Sequence, residues 1–310
     1  MKIKLLSFVV FLGLLLSCSS GKKKDAEILK LTVGVMSSMD YFPLAVAQEK
    51  GYFAEEGLDV TLQKFYAPND RDAALQSGNL DGTILDYTGG AIQRAGGISL
   101  QFTSQCDGTF ALMAGKDSGI ASVNDLKGKN LAVSRNTVID FCTDMALEKA
   151  GLSDADITKS EINKIPLRLE MLRNGKIDAT MLPDPFASLA KNGGNTSILT
   201  MNELGFHVTG IAFHEKVIHE KSEAIKKFYM AYNKAIEDIQ SHPATDFRNL
   251  LIQEIGFSPE TVDFVVLPSY TKATLPQESD LSATLSWLKS RNLITPDFNM
   301  QSLVAPGLIP

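Results

Sequence analysis

The chain has 310 residues, 44% of them hydrophobic and 8% aromatic, which is enough for an ordinary buried core and near the length at which one core splits into two. A formal net charge of −6 argues against a nucleic-acid partner and against a basic membrane-binding face. Three cysteines are too few for a disulfide-stapled scaffold, so Cys106 and Cys142 read as small buried residues.

The N-terminal segment carries Lys2 and Lys4 ahead of an apolar run, Leu5 to Leu16, interrupted by Ser7 and Gly13. A membrane span needs about 20 apolar residues, so this run is too short, and it fits the apolar core of an export signal. Leu15-Leu16-Ser17-Cys18 resembles the lipobox of bacterial lipoproteins, although leucine is less usual at the position of Leu16. That resemblance implies a signal peptide over 1–17, lipidation of Cys18, and a polar tether over 18–28 that holds the protein outside the cytoplasm on a bacterial membrane. An ordinary secretory signal is the alternative.

Strands and helices then alternate. LKLTVGVM is expected as a strand, PLAVAQEKG as a helix opened by Pro43 and stopped by Gly51, and LDVTLQKF as a strand. NDRDAALQSG follows as a helix capped by Asn69, then TILD as a strand, TGGAIQRAGG as a helix, and ISLQFTS and TFALMAG as strands. The alternation restarts at Lys129 with NLAVS, a helix over TVIDFCTDMALEKAG, then KSEINK, PLRLEMLRNG, IDATML and PFASLAKNGG. This pattern implies parallel sheets covered on both faces. After Phe206 the spacing reads as largely helical, notably over 221–240, 245–255 and 277–291.

An internal echo joins the two halves. LQSGNLDGTIL at 75–85 and LRNGKIDATML at 172–182 align at an offset of 97, matching Leu75, Gly78, Asp81, Thr83 and Leu85 with Leu172, Gly175, Asp178, Thr180 and Leu182. Each copy ends a helix, places glycine where a left-handed residue is wanted, and starts a strand. The shared Asp and Thr favour a duplicated lobe, expected as 29–114 plus 206–310 for the first and 115–205 for the second.

AVAQEKGYFAEEGLDV at 45–60 is similar to the opening signature of the nitrate/sulfonate/taurine-type solute-binding proteins of ABC transporters, a group that includes binders of thiamine-precursor pyrimidines. ALQSGNLDGTILD (74–86), KDSGIASVNDLKGKNLAVS (116–134) and MLRNGKIDATMLPDPFASLA (171–190) follow in that family's order. The resemblance implies an α/β, type II periplasmic-binding-protein fold, two lobes joined by a two-segment hinge. Such a protein closes on a small solute and presents it to the transmembrane subunits of an ABC permease. Neither cofactor nor catalysis is implied.

Ligands of open α/β sheets bind beyond the carboxyl ends of the strands, where helix N-termini present free amides. Those ends nominate Ser37, Ser38, Asp40 and Tyr41, then Asp86, Tyr87 and Thr88, then Gln105 and Cys106 from the first lobe. From the second come Arg135, Asn136, Thr137 and Asp184. Thr88, Asn136 and Asp184 read equally well as helix caps. Tyr41 and Tyr87 read either as a stacking wall for a flat ligand or as packing. Asp40, Asp86 and Asp184 outnumber Arg135, which favours an amine-bearing or heteroaromatic solute, while Arg135 leaves a sulfonate or carboxylate open.

Other chemistry finds little support. HEKVIH at 214–219 spaces its histidines by five residues rather than the four that share a helix face, so no metal is expected. SWLK at 286–289 lacks the companion motifs of penicillin-interacting enzymes. The competing readings are an exported lipoprotein that uses the fold for signalling or structure, and a relative of the enzymes that make pyrimidine precursors. Asp184→Ala is expected to weaken solute affinity by more than it lowers thermal stability, and equal affinity in titration would leave Asp184 as a cap.

Overall fold

The computed structural model describes residues 28–310, so the signal segment, Cys18 and all but the last residue of the tether lie outside the described residues. The chain begins with β1 (Leu29–Met36), α1 (Phe42–Glu49), the single turn α2 (Tyr52–Glu55), β2 (Leu58–Phe65), α3 (Pro68–Gln76), β3 (Gly82–Asp86), α4 (Tyr87–Ala95) and β4 (Leu100–Gln105). It continues through β5 (Phe110–Ala114), β6 (Asn130–Val133), α5 (Val138–Lys149), β7 (Thr158–Glu161), α6 (Ile165–Arg173), β8 (Ala179–Pro183), α7 (Phe186–Asn192) and β9 (Thr196–Thr200). The turn α8 (Met201–Leu204) leads to β10 (Thr209–His214), and the rest is helical: α9 (Glu215–Glu220), α10 (Ser222–Ser241), α11 (Arg248–Leu250) and α12 (Glu278–Ser290).

Two five-stranded sheets result, ordered β2-β1-β3-β10-β4 and β7-β6-β8-β5-β9. They share one plan. In the first, β1 runs parallel to β2 and β3 while β10 runs antiparallel to β3 and β4; in the second, β6 runs parallel to β7 and β8 while β5 runs antiparallel to β8 and β9. The expectation of wholly parallel sheets is corrected here, because each sheet takes in one strand that arrives from the opposite half. The strand at 110–114, expected with the first lobe, pairs in the second sheet, and β10, which falls in the stretch read from sequence as largely helical, lies inside the first. The chain crosses at 106–109 and again at 201–208.

The internal echo has a physical basis. Asp81 accepts from the Thr32 amide at 2.9 Å while its own amide donates to the Thr32 carbonyl at 2.8 Å. Asp178 accepts from the Asn130 amide at 2.7 Å and donates to the Asn130 carbonyl at 2.8 Å. The hydroxyls of Thr83 and Thr180 donate to the carbonyls of Gly34 and Ala132, each at 2.8 Å. The repeated Asp and Thr thus fasten the third strand of each sheet to the first. Gly78 and Gly175 take φ of 75° and 62°, the left-handed end of each preceding helix.

Helix α10 covers the first sheet because Ile225, Phe228, Tyr229, Tyr232, Ala235, Ile236 and Ile239 recur at helical spacing and are all buried. Helix α12 reaches the other lobe. Trp287 meets Phe141 edge to face at 5.7 Å, its indole N–H donates to Asp144 at 2.5 Å, and Arg291 pairs with Asp144 and with Asp154. Cys106 and Cys142 are free and buried.

Asp81 and Asp178 hold equivalent bonds to the backbone, and Asp81 also pairs with Lys221 at 2.8 Å, so Asp81→Ala and Asp178→Ala should each lower stability by about 1.5–3 kcal/mol, Asp81→Ala by the larger amount. Urea denaturation of the two variants measures this, and an Asp178→Ala variant as stable as the wild type would deny that the carboxylate fastens the strands.

Candidate functional site

The carboxyl ends of β1, β3, β6 and β8 face one another across the two sheets and enclose a cavity of about 50 Å³. Of the residues nominated from sequence, Ser38, Asp40, Asp86 and Thr137 line it. Two buried arginines that the sequence reading missed line it as well: Arg71 on α3 and Arg168 on α6. Phe110, Ile84, Ile139 and Pro183 form apolar wall. A wider groove of about 670 Å³ lies beside it, lined by Thr109, Asp184, Lys191, Phe264 and Val266.

Asp40 follows β1 and is buried. Its Oδ1 accepts from the Gly108 amide at 2.7 Å and from the Thr209 hydroxyl at 3.1 Å, so it holds one chain crossing and the strand that ends the other. Burial is the main cause that pushes its pKa up to about 6, against the lowering effect of those two bonds. Beside it, His207 Nδ1 lies 3.4 Å from Asp280, and the neighbouring carboxylate raises the pKa of the imidazole.

Asp86 caps α4: Oδ1 accepts from the Gly89 amide at 2.7 Å and from the Thr88 hydroxyl, while Oδ2 lies 3.7 Å from Arg71. The cap of this helix is therefore Asp86, not Thr88, because the carboxylate is the stronger acceptor at the extended residue before the first turn. Thr137 caps α5, accepting from the Ile139 amide at 3.2 Å. Asn136 precedes it at φ 60°, a left-handed conformation that asparagine tolerates, and is exposed. Likewise α3 begins at Pro68 with Ala67 as its cap, so Asn69 sits inside the first turn.

Several nominated residues lie elsewhere. Tyr41 and Tyr87 are 3% and 0% exposed. The Tyr41 hydroxyl donates to Glu254 at 2.8 Å, and Tyr87 meets Phe102 edge to face at 4.9 Å. Both rings are spent on packing, and the stacking wall does not form. Gln105 and Cys106 are buried without lining the cavity, and burial raises the Cys106 thiol well above its ordinary value. Ser37 is half-buried beside the cavity but does not line it. Arg135 is exposed and lies 3.6 Å from Glu161. Asp184 accepts from the Ser188 amide at 2.8 Å and faces the wider groove. The excess of aspartates over arginine expected at the mouth is thereby corrected: the cavity holds two carboxylates and two guanidiniums.

Those guanidiniums differ. Arg71 is held by Asp72, at 2.9 Å from Nε and 2.7 Å from Nη2, and by Asp86. Arg168, 1% exposed, donates through Nη1 to the carbonyls of Ile162 and Asn163 at 2.9 and 3.3 Å, while Nε and Nη2 are buried without a partner among the described residues. Desolvation alone pulls its pKa down to about 10. The sequence did contain a signal for the pair, since Arg71 and Arg168 stand at the same offset of 97 as the echo.

Residues 38–246 match the family described as NMT1/THI5 like. The chain belongs to the NMT1/THI5-like family. It is 28% identical over 251 residues, 76% of this chain and 74% of the other, to a Bacillus subtilis protein named "Putative aliphatic sulfonates-binding protein". It is 24% identical over 234 residues to the 4-amino-5-hydroxymethyl-2-methylpyrimidine phosphate synthase of Schizosaccharomyces pombe, 68% of this chain and 65% of that enzyme. The fold is similar to that of the alkanesulfonate-binding protein SsuA from Xanthomonas axonopodis pv. citri, solved bound to MOPS, with a TM-score of 0.75 and 20% identity over 92% of this chain and 99% of that one. The type II periplasmic-binding fold expected from sequence is thus the fold observed.

Asp40 binds its proton more tightly in the folded chain, between its ordinary 3.8 and about 6. Its stabilising contribution is therefore complete below pH 4 and is lost as pH rises through 6, by an upper bound of about 3 kcal/mol. Asp40→Asn keeps an oxygen for Gly108 and Thr209, so it should melt several degrees above the wild type at pH 7 and level with it near pH 4. Thermal melts across that range would show a constant difference if Asp40 were not the cause.

Proposed function

We propose that this chain is the extracytoplasmic solute-binding lipoprotein of an ABC importer, capturing a small organic solute between its lobes and delivering it to the permease. The observation that carries this reading is the small, largely apolar cavity between the sheets, where Arg168 keeps two buried nitrogens without a hydrogen-bond partner among the described residues. A buried unpaired charge costs several kcal/mol, and a chain retains such a site where an incoming group completes it. Relatives named for aliphatic sulfonates and for a pyrimidine phosphate support small organic solutes as the class. A lipid on Cys18 would confine the receptor at the membrane and raise its effective concentration at the permease, as a linker does for a tethered module.

The test is a thermal-shift screen of the purified protein against sulfonates, carboxylates, amines, amino acids and heteroaromatic precursors. A solute at 100 times its dissociation constant adds about 2.7 kcal/mol, which predicts a shift of roughly 5–10 °C. The same solute should compact the protein in small-angle scattering and be recovered unchanged by mass spectrometry. A flat panel on ligand-free protein supports the non-transport lipoprotein instead, and recovery of a converted solute supports the enzyme.

A further inference from the structure

The two lobes repeat the same arginine in different electrostatic company. Arg71 and Arg168 occupy equivalent positions on α3 and α6, at the offset that relates Asp81 to Asp178. Arg71 has two counter-charges, Asp72 and Asp86, although its Nη2 too makes no well-aligned hydrogen bond among the described residues. At the same offset those two carboxylates become Leu169 and Pro183. Arg168 consequently has no acidic partner among the described residues, and its Nε–Nη2 edge, the edge that grips an oxyanion in two parallel bonds, is left unpartnered.

The opposite deficit lies in the first lobe. Asp40 uses Oδ1 for both Gly108 and Thr209, and Oδ2 accepts no hydrogen bond from the described residues. The charged groups around it are Asp107 and His207, and His207 is itself engaged with Asp280 and lies 3.8 Å from Asp107. The carboxylate therefore lines the cavity with no cation bound to it. Charge balance across the cavity reduces to one unmatched guanidinium from the second lobe and one unmatched carboxylate from the first.

We infer that the captured solute is a small zwitterion whose anionic group sits on the Nε–Nη2 edge of Arg168 and whose ammonium sits on Oδ2 of Asp40. The inference rests on the solute-binding reading and names its substrate class. A lone anion would satisfy Arg168 and leave Asp40 as a buried like charge; a lone amine would do the reverse. A zwitterion completes both, and because each charge belongs to a different lobe, only the closed arrangement completes them together. The cavity of about 50 Å³ favours a short one.

Calorimetric titration of the purified protein with matched probes tests this. The zwitterions are glycine, β-alanine, γ-aminobutyrate and aminoethanesulfonate. Propionate and ethanesulfonate lack the ammonium, and ethylamine lacks the anion. At least one zwitterion should bind about 10- to 150-fold more tightly than its single-charge analogues, the span of one charge-assisted hydrogen bond. Asp40→Asn should erase the preference for the ammonium and leave the anion preference, and Arg168→Gln should do the opposite. Should a variant fail to fold, the wild-type probe series decides by itself. Equal binding of propionate and β-alanine together with equal binding of ethanesulfonate and aminoethanesulfonate, with neither glycine nor γ-aminobutyrate binding more tightly, overturns the inference, as does tight binding confined to a singly charged or neutral solute. Both outcomes leave the receptor reading standing. A chain that binds nothing in the wider screen, or that returns its solute converted, removes that reading too.

Discussion

Two strands that leave their own half of the chain and pair antiparallel in the other half hold this molecule together. β5 runs between β8 and β9, and β10 runs between β3 and β4, so neither sheet is complete without a segment delivered across the gap. Their lead-in segments lie close enough for one carboxylate, that of Asp40, to hold Gly108 in the first and Thr209 at the start of β10. The approach is so close that a Cβ at position 108 would fall 2.2 Å from Asp40 Oδ1, which only glycine avoids. The cavity exists where it does because this exchange turns the carboxyl ends of both sheets toward each other.

Within that frame the lobes are near copies in backbone and opposites in charge. Equivalent aspartates and threonines fasten equivalent strands, yet the neutral Leu169 and Pro183 stand where the first lobe has Asp72 and Asp86. A core optimised for stability alone would not keep Arg168 without an acidic partner, since a well-packed apolar residue in place of a buried charge is often neutral or stabilising. Local disagreement with the rules of stability is where function concentrates.

A second connection lies along α12. Trp287 and Arg291 hold Asp144, and Arg291 also holds Asp154, while Lys159 pairs with Asp140, Asp144 and Asp154 at 2.6, 2.5 and 2.7 Å. The Lys159 side chain is 5% exposed, so salt screens this cluster less than a surface pair. The last long helix of the chain thereby fixes the second lobe to the first, with the Phe141–Trp287 contact beneath it.

The sequence by itself determined the alternating α/β plan, the duplicated lobe and the family, because helix stops, buried strands and the Asp–Thr clasp are local patterns that survive without partners. It nominated Ser38, Asp40, Asp86 and Thr137 from strand ends, and these line the cavity. It gave no strand for β10, since a short buried run between two other strands carries no period that separates it from a buried helix. It assigned β5 to the first lobe, since partnership across a crossing is not written in the strand that crosses. It could name Tyr41 and Tyr87 but not their direction, which edge-to-face packing and the bond to Glu254 decided. Above all, sequence placed Arg71 and Arg168 on ordinary helical turns. Only the folded chain decided that both are buried and that one has no acidic partner among the described residues, because solvation and charge pairing belong to neighbours brought together from distant positions.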